Sequence, residues 1–138
     1  MVSVYSRSPP PSKLGVKGNS KLALLHAPPS FTTEIPVGVE VRRRENGRVD
    51  VIVAFFSRST VLEQQIEAMG KMMFPSSSLW IAWPKRSSGV TTDLSDRAVR
   101  HIALPLGLVD NEVCALDETW TALRMVWRLT RCTAVEAH

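Results

Sequence analysis

Every residue from Val51 to Phe56 is apolar, and the stretch RVDVIVAFF around it (Arg48–Phe56) is rich in β-branched and aromatic side chains. A strand that faces water on one side alternates apolar with polar residues, so an unbroken run of this kind needs cover on both faces. Six residues are also far short of the roughly 20 that span a bilayer. The run therefore predicts a central strand of a sheet with layers packed on either side. A chain of 138 residues is long enough to bury such a strand within one domain.

The remaining elements fall around it. Residues 1–20 are rich in Ser, Pro, Lys and Gly, with Pro9, Pro10 and Pro11 consecutive, and read as an extended arm. Lys21–His26 (KLALLH) is a short apolar run closed by Ala27, Pro28 and Pro29, a first buried strand. A turn of helix is expected around Phe31–Ile35. Val37–Arg43 alternates as an edge strand, with Val39 and Val41 inward and Glu40 and Arg42 outward. Glu45, Asn46 and Gly47 make the turn into the central strand, and Asp50 lies at its start.

After the central strand, Thr60 and Glu63 have the spacing of a capping box. They open a helix whose inner face is Leu62, Ile66, Met69 and Met73, with Pro75 and three serines ending it. Leu79–Pro84 (LWIAWP) is a second buried strand that stops at proline. Asp93 or Ser95 caps a second helix over Leu94–Leu104, burying Leu94, Ala98, Val99, Ile102 and Ala103. Pro105 and Gly107 stop that helix. Leu108–Leu116 and Ala122–Leu129 form a closing hairpin through DETW, and residues 131–138 are a frayed tail. The expected architecture is thus one α/β domain over 21–130: small, Rossmann-like and three-layered, with a mostly parallel sheet and a C-terminal antiparallel hairpin.

Several function classes find no support. The histidines are scattered and no CxxC or HxxxH spacing appears, which disfavours zinc. Cys114 reads as a small core residue and Cys132 as a tail thiol, both reduced in a cytoplasmic protein. There is no apolar stretch of signal-peptide length before the prolines, so export is not expected. The net charge of +4 has one cationic run, Arg42–Arg44, which fits a solvated turn better than a nucleic-acid surface. No Walker loop, nucleophile elbow or metal motif is present.

What remains is a polar constellation. In open α/β sheets ligands bind beyond the carboxyl ends of the strands. The order of elements brings His26, Ala27, Ser57 and Arg58 to that edge, and with them the candidate ligand- or partner-binding residues Trp83, Lys85, Arg86, Thr91 and Asp93, together with Asp117, Glu118 and Trp120 of the hairpin turn. Cations, hydroxyls and backbone amides there suit a small anionic ligand or a protein partner. Trp83 and Trp120 are placed to form a pocket wall. The plainer reading is that Lys85 pairs with Asp93, Asp117 or Glu118 and pins the loop, that Asp93 is a helix cap, and that the tryptophans are core or rim. Adjacent Asp117 and Glu118 cannot work as a carboxylate pair in a strand, and His26 has no catalytic partner in sequence.

Two resemblances bear on this. The order of elements, ending in helix, strand and antiparallel strand, resembles a trimmed methyltransferase-type Rossmann fold. Those enzymes place a glycine-rich turn after the first strand; here HAPPSF stands there, so the usual nucleotide cradle is not expected. KLGVKG (13–18), VDVIVAFF (49–56), LWIAWPKRSSGVTTDL (79–94) and GLVDNEVCALDETWTALR (107–124) resemble a family of small bacterial proteins sharing a domain of unknown function. That likeness runs from about Tyr5 to Arg128 and implies no activity. The expectation from sequence is therefore a cytoplasmic, non-catalytic module without a cofactor that binds a partner or small anion. The alternatives are an enzyme related to S-adenosylmethionine-dependent methyltransferases and, third, a nucleic-acid-associated protein.

Overall fold

The computed structural model describes residues 21–28, 40–42 and 47–128, the strand 40–42 by its backbone. Six strands form one sheet: β1 (Lys21–Leu25), β2 (Glu40–Arg42), β3 (Val49–Phe55), β4 (Met73–Pro84), β5 (Leu108–Ala115) and β6 (Trp120–Trp127). Among the described residues two α-helices join them, α1 (Ser59–Lys71) and α2 (Asp96–Ala103). The expected arm, the helical turn at 31–35, Arg43, Arg44 and the tail lie outside the described residues.

The sheet order is β2-β1-β3-β4-β6-β5. Strands β2, β1, β3 and β4 are mutually parallel, whereas β6 runs antiparallel to both of its neighbours, β4 and β5. The mostly parallel, Rossmann-like sheet with an antiparallel hairpin is thus present. The last strand in sequence is not at the edge: it is inserted between β4 and β5.

Burial explains why β3 reads as an unbroken apolar run. Ile52, Ala54 and Phe56 point into one cluster, while Val51, Val53 and Phe55 point into another on the opposite face. Strand β4 divides likewise, with Leu79, Ile81 and Trp83 on the first face and Trp80 and Ala82 on the second. Both α1, through Leu62, Ile66 and Met69, and α2, through Val99 and Ala103, cover the first face. The sequence pattern predicts helices on both faces; no described helix covers the second, although its residues are buried.

Two boundaries differ from expectation. Helix α1 ends at Lys71, so Met73, Pro75 and the serines belong to β4. Three extra residues bulge out of β4 between the pairs Val49↔Met73 and Val51↔Ser78. A proline is tolerated there because the bulge asks for no ladder hydrogen bond. Buried Ser77 closes the bulge: its Oγ donates to the Val49 carbonyl at 2.7 Å and accepts from the Phe74 amide at 2.8 Å. The capping box is also not formed. Helix α1 has no cap from its own N-terminal side chains and is held instead by Asp93, from the far side of β4. Ser95, not Asp93, caps α2, accepting from the Ala98 amide at 3.1 Å.

Candidate functional site

Strand order reverses between β1 and β3: the chain leaves β1 toward β2 on one side, and β3 toward β4 on the other. This is the place where open α/β sheets leave a crevice beyond their carboxyl ends. A cavity of about 350 Å³ lies there, lined by His26, Phe55, Phe56, Ser57, Arg58 and Val61.

His26 shapes one wall. Its backbone is left-handed, with φ of 59°, and among the described residues no other non-glycine has a positive φ. That conformation is rare outside glycine, though Asn, Asp and His are enriched in it. Two contacts hold the ring: an edge-on approach to Phe56, with centroids 5.4 Å apart, and a 2.7 Å hydrogen bond to Gln65 of α1. Gln65 Oε1 can only accept, so in this bond His26 Nε2 is the donor. The sequence places His26 at this edge but gives it no role in a site, because nothing in a single sequence marks a histidine as left-handed. The two prolines soon after it were the available signal of a forced turn.

Opposite the first wall, β3 ends in Phe56–Ser57–Arg58 and hands over to α1. The Ser59 amide donates to Asp93 Oδ1 at 2.8 Å and the Ser59 hydroxyl donates to Oδ2 at 2.7 Å. These bonds, the hydroxyl's first, hold the Asp93 carboxyl below its usual range, with the Arg58 charge a minor aid. Thr92 donates to the Ser57 carbonyl at 2.7 Å, so the loop after β4 is tied to the end of β3 at two successive residues.

That loop forms a second opening on the same edge. Pro84 ends β4 and Arg86–Ser88 make a single 3-10 turn that closes on left-handed Gly89, φ 80°. Ser88 donates through its hydroxyl to the Lys85 carbonyl at 2.7 Å. A cleft of about 460 Å³ lies over it, lined by Trp83, Arg86, Val90, Thr91, Leu94 and Asp96 among others.

Of the residues singled out in sequence, Trp83, Arg86 and Thr91 line this cleft. Lys85, Asp93, Asp117, Glu118 and Trp120 do not. The expected neighbourhood of loop and hairpin turn is present, for the Lys85 amide donates to the Thr119 carbonyl at 2.7 Å and Pro84 pairs with Trp120. The shared tryptophan wall is not. Trp83 packs on the helix-covered face and Trp120 on the other, edge-on to Phe55 at 5.1 Å. Asp117 is committed to its own turn, its Oδ1 accepting the Thr119 and Trp120 amides at 2.8 Å each. Asp93 is likewise held by Ser59, so of the three acids of the plainer reading these two have other hydrogen-bond partners.

Among the described residues no three metal-ligating side chains gather, and no helix is long and apolar enough to cross a membrane. Asp50 sits inside β3 and accepts the Lys21 amide at 2.8 Å. Cys114 is half-buried against the second cluster.

No family profile matches the sequence, and no curated protein matches it. Solved structures do match the fold. A SAM-dependent methyltransferase from Aquifex aeolicus superposes with a TM-score of 0.59 at 14% identity, over 83% of this chain and 86% of that one. A putative methyltransferase from Thermoplasma acidophilum gives 0.56 at 8% identity, over 89% and 76%. A TehB-like SAM-dependent methyltransferase from Corynebacterium glutamicum gives 0.55 at 6% identity, over 84% of each chain. At these identities the likeness establishes a methyltransferase-type Rossmann fold. It also corrects the leading expectation from sequence: fold neighbours that are methyltransferases speak against a non-catalytic module and for the enzyme alternative.

Proposed function

We propose that this protein is an enzyme related to the S-adenosylmethionine-dependent methyltransferases, working at the crevice between β1 and β3. The observation that carries the reading is the strand order, with its reversal between β1 and β3 and one antiparallel strand set between β4 and β5. The neighbouring structures support it at the level of fold.

The residues of the crevice fit such a cofactor. The cavity has the volume of a small-ligand site. Phe55, Phe56 and Val61 supply apolar wall for a base, and Ser57 and His26 supply polar groups. The objection from sequence was the missing glycine after β1. His26 answers part of it, because its backbone makes the left-handed turn that glycine ordinarily makes there. His26, Phe56, Ser57, Arg58 and Val61 are the residues that would flank the cofactor. The chemistry supplied by the bound cofactor is an activated methyl group. The chain's own contribution is a shaped, partly apolar recess with the His26 ring fixed in its wall.

Isothermal titration with S-adenosylmethionine tests this. One saturable site is expected, abolished by Val61→Trp, which fills the crevice. A flat titration of the wild-type protein at millimolar cofactor removes the reading.

Membership of the small bacterial family sharing a domain of unknown function belongs to the same proposal. Its segments 49–56, 79–94 and 107–124 correspond to β3, to β4 with its loop, and to the closing hairpin. A cytoplasmic location is proposed on the sequence alone.

A further inference from the structure

We propose that the cleft beyond β4 is a second binding site, for a small organic anion with an apolar body. It is distinct from the crevice at the strand reversal, and the inference does not depend on the methyltransferase-related reading. The two cavities share no lining residue. They lie on either side of one connection, in which Thr92 of the cleft donates to the carbonyl of Ser57 of the crevice.

The apolar part of the ligand is set by the cleft's floor. Trp83, Pro84 and Leu94 line it, each buried in the fold, and Val90 leans over it with 46% of its surface exposed. An exposed valine on such a cleft is apolar surface that a ligand body removes from water.

The charged part is set by Arg86. Arg86 is exposed, lines the cleft and has no ion-pair partner among the described residues. An arginine offers a planar fork of donors matched to a carboxylate or phosphate. The carboxylate on the rim, Asp96, does not cancel it. One of its oxygens accepts from Arg100 Nη1 at 3.2 Å and the other from the Arg97 amide at 2.9 Å. Arg100 is also held by Asp110 of β5 at 3.0 Å, so the two carboxylates share one guanidinium. Arg86 is thus the one cation among the residues lining the cleft, and Asp96 is paired with Arg100 rather than with it. Thr91, exposed on the same wall, adds a hydroxyl, whereas the hydroxyls of Thr92 and Ser95 are already engaged. The backbone around Arg86 is prepared for this: the 3-10 turn and Gly89 fix the loop before any ligand arrives.

Benzoate and its uncharged isostere benzamide, titrated without cofactor into isotopically labelled protein and followed by NMR, decide the matter. Saturable shifts from benzoate are expected at the Trp83 indole and the amides of Thr91 and Leu94. Benzamide should bind at least about tenfold more weakly, the loss of one charge-assisted contact. Arg86→Gln should reduce benzoate affinity to that of benzamide, and Arg86→Lys should keep part of it. Equal binding of the two isosteres, unchanged benzoate affinity in Arg86→Gln, or no saturable shift in this cleft would each overturn the proposal. A flat cofactor titration with intact benzoate binding would remove the methyltransferase reading alone.

Discussion

The two openings on the carboxyl edge of the sheet are built by opposite means. At β4 the turn is made by residues whose covalent structure dictates it: Pro84 stops the strand and Gly89 takes the left-handed corner. At β1 the corner is taken by a histidine, against its steric preference, and tertiary contacts from Phe56 and Gln65 hold it there. The first turn carries its shape in its local sequence. The second borrows its shape from the core beneath it, and strain held by surrounding structure is characteristic of functional positions.

The difference can be broken at its foundation. Phe56 is 4% exposed and supports the His26 ring, so Phe56→Ala should cost about 3–5 kcal/mol of stability by urea unfolding. A loss below about 1 kcal/mol, within the scatter of surface substitutions, would mean that the crevice wall is not anchored in the core. A sharper test compares two replacements of His26. Both His26→Ala and His26→Gly lose the Gln65 bond, yet only glycine relieves the left-handed backbone. The glycine variant should therefore be the more stable of the two by about 1 kcal/mol. Equal stabilities would show that the corner holds no strain.

Asp93 joins the two regions, since it belongs to the loop of the β4 cleft and caps the helix beside the crevice. Asp93→Ala should lower the melting temperature by a few degrees at neutral pH. Its folded-state pKa is held below the ordinary aspartate range, chiefly by the Ser59 hydroxyl. The carboxylate's contribution is accordingly complete above the unfolded pKa and lost as pH falls through the lower folded value. The gap between wild type and variant should narrow on acidification. A constant gap across the acid range would assign the effect to something other than the charge.

Much of the fold was legible because its signals are local. The unbroken run at 51–56, the stop at Pro84 and the corner at Gly107 each act over a few residues. What was illegible depended on distance. Thr60 and Glu63 have the spacing of a capping box, but the cap comes from Asp93, 34 residues away. Pro75 looked like a helix end, and the bulge that accommodates it is closed by Ser77 reaching back to Val49. Trp83 and Trp120 lie one register step apart on paired strands, and that single step sends them to opposite faces. The cleft residues Trp83, Arg86 and Thr91 were found in sequence because they share one loop. The position of His26 at the edge is legible from the order of elements, but its conformation is not, because residues of β3 and α1 hold it.

The insertion of β6 between β4 and β5 has a bearing on how the protein is made. A ribosome delivers β4 well before its partner on that side, and β5 emerges with no partner at all. Until Trp120–Trp127 is released, one flank of β4 and both flanks of β5 carry unpaired peptide groups. The nascent chain thus passes through an open-edged stage that ends only when its final strand slots into the gap, and that interval is where a chaperone has most to protect.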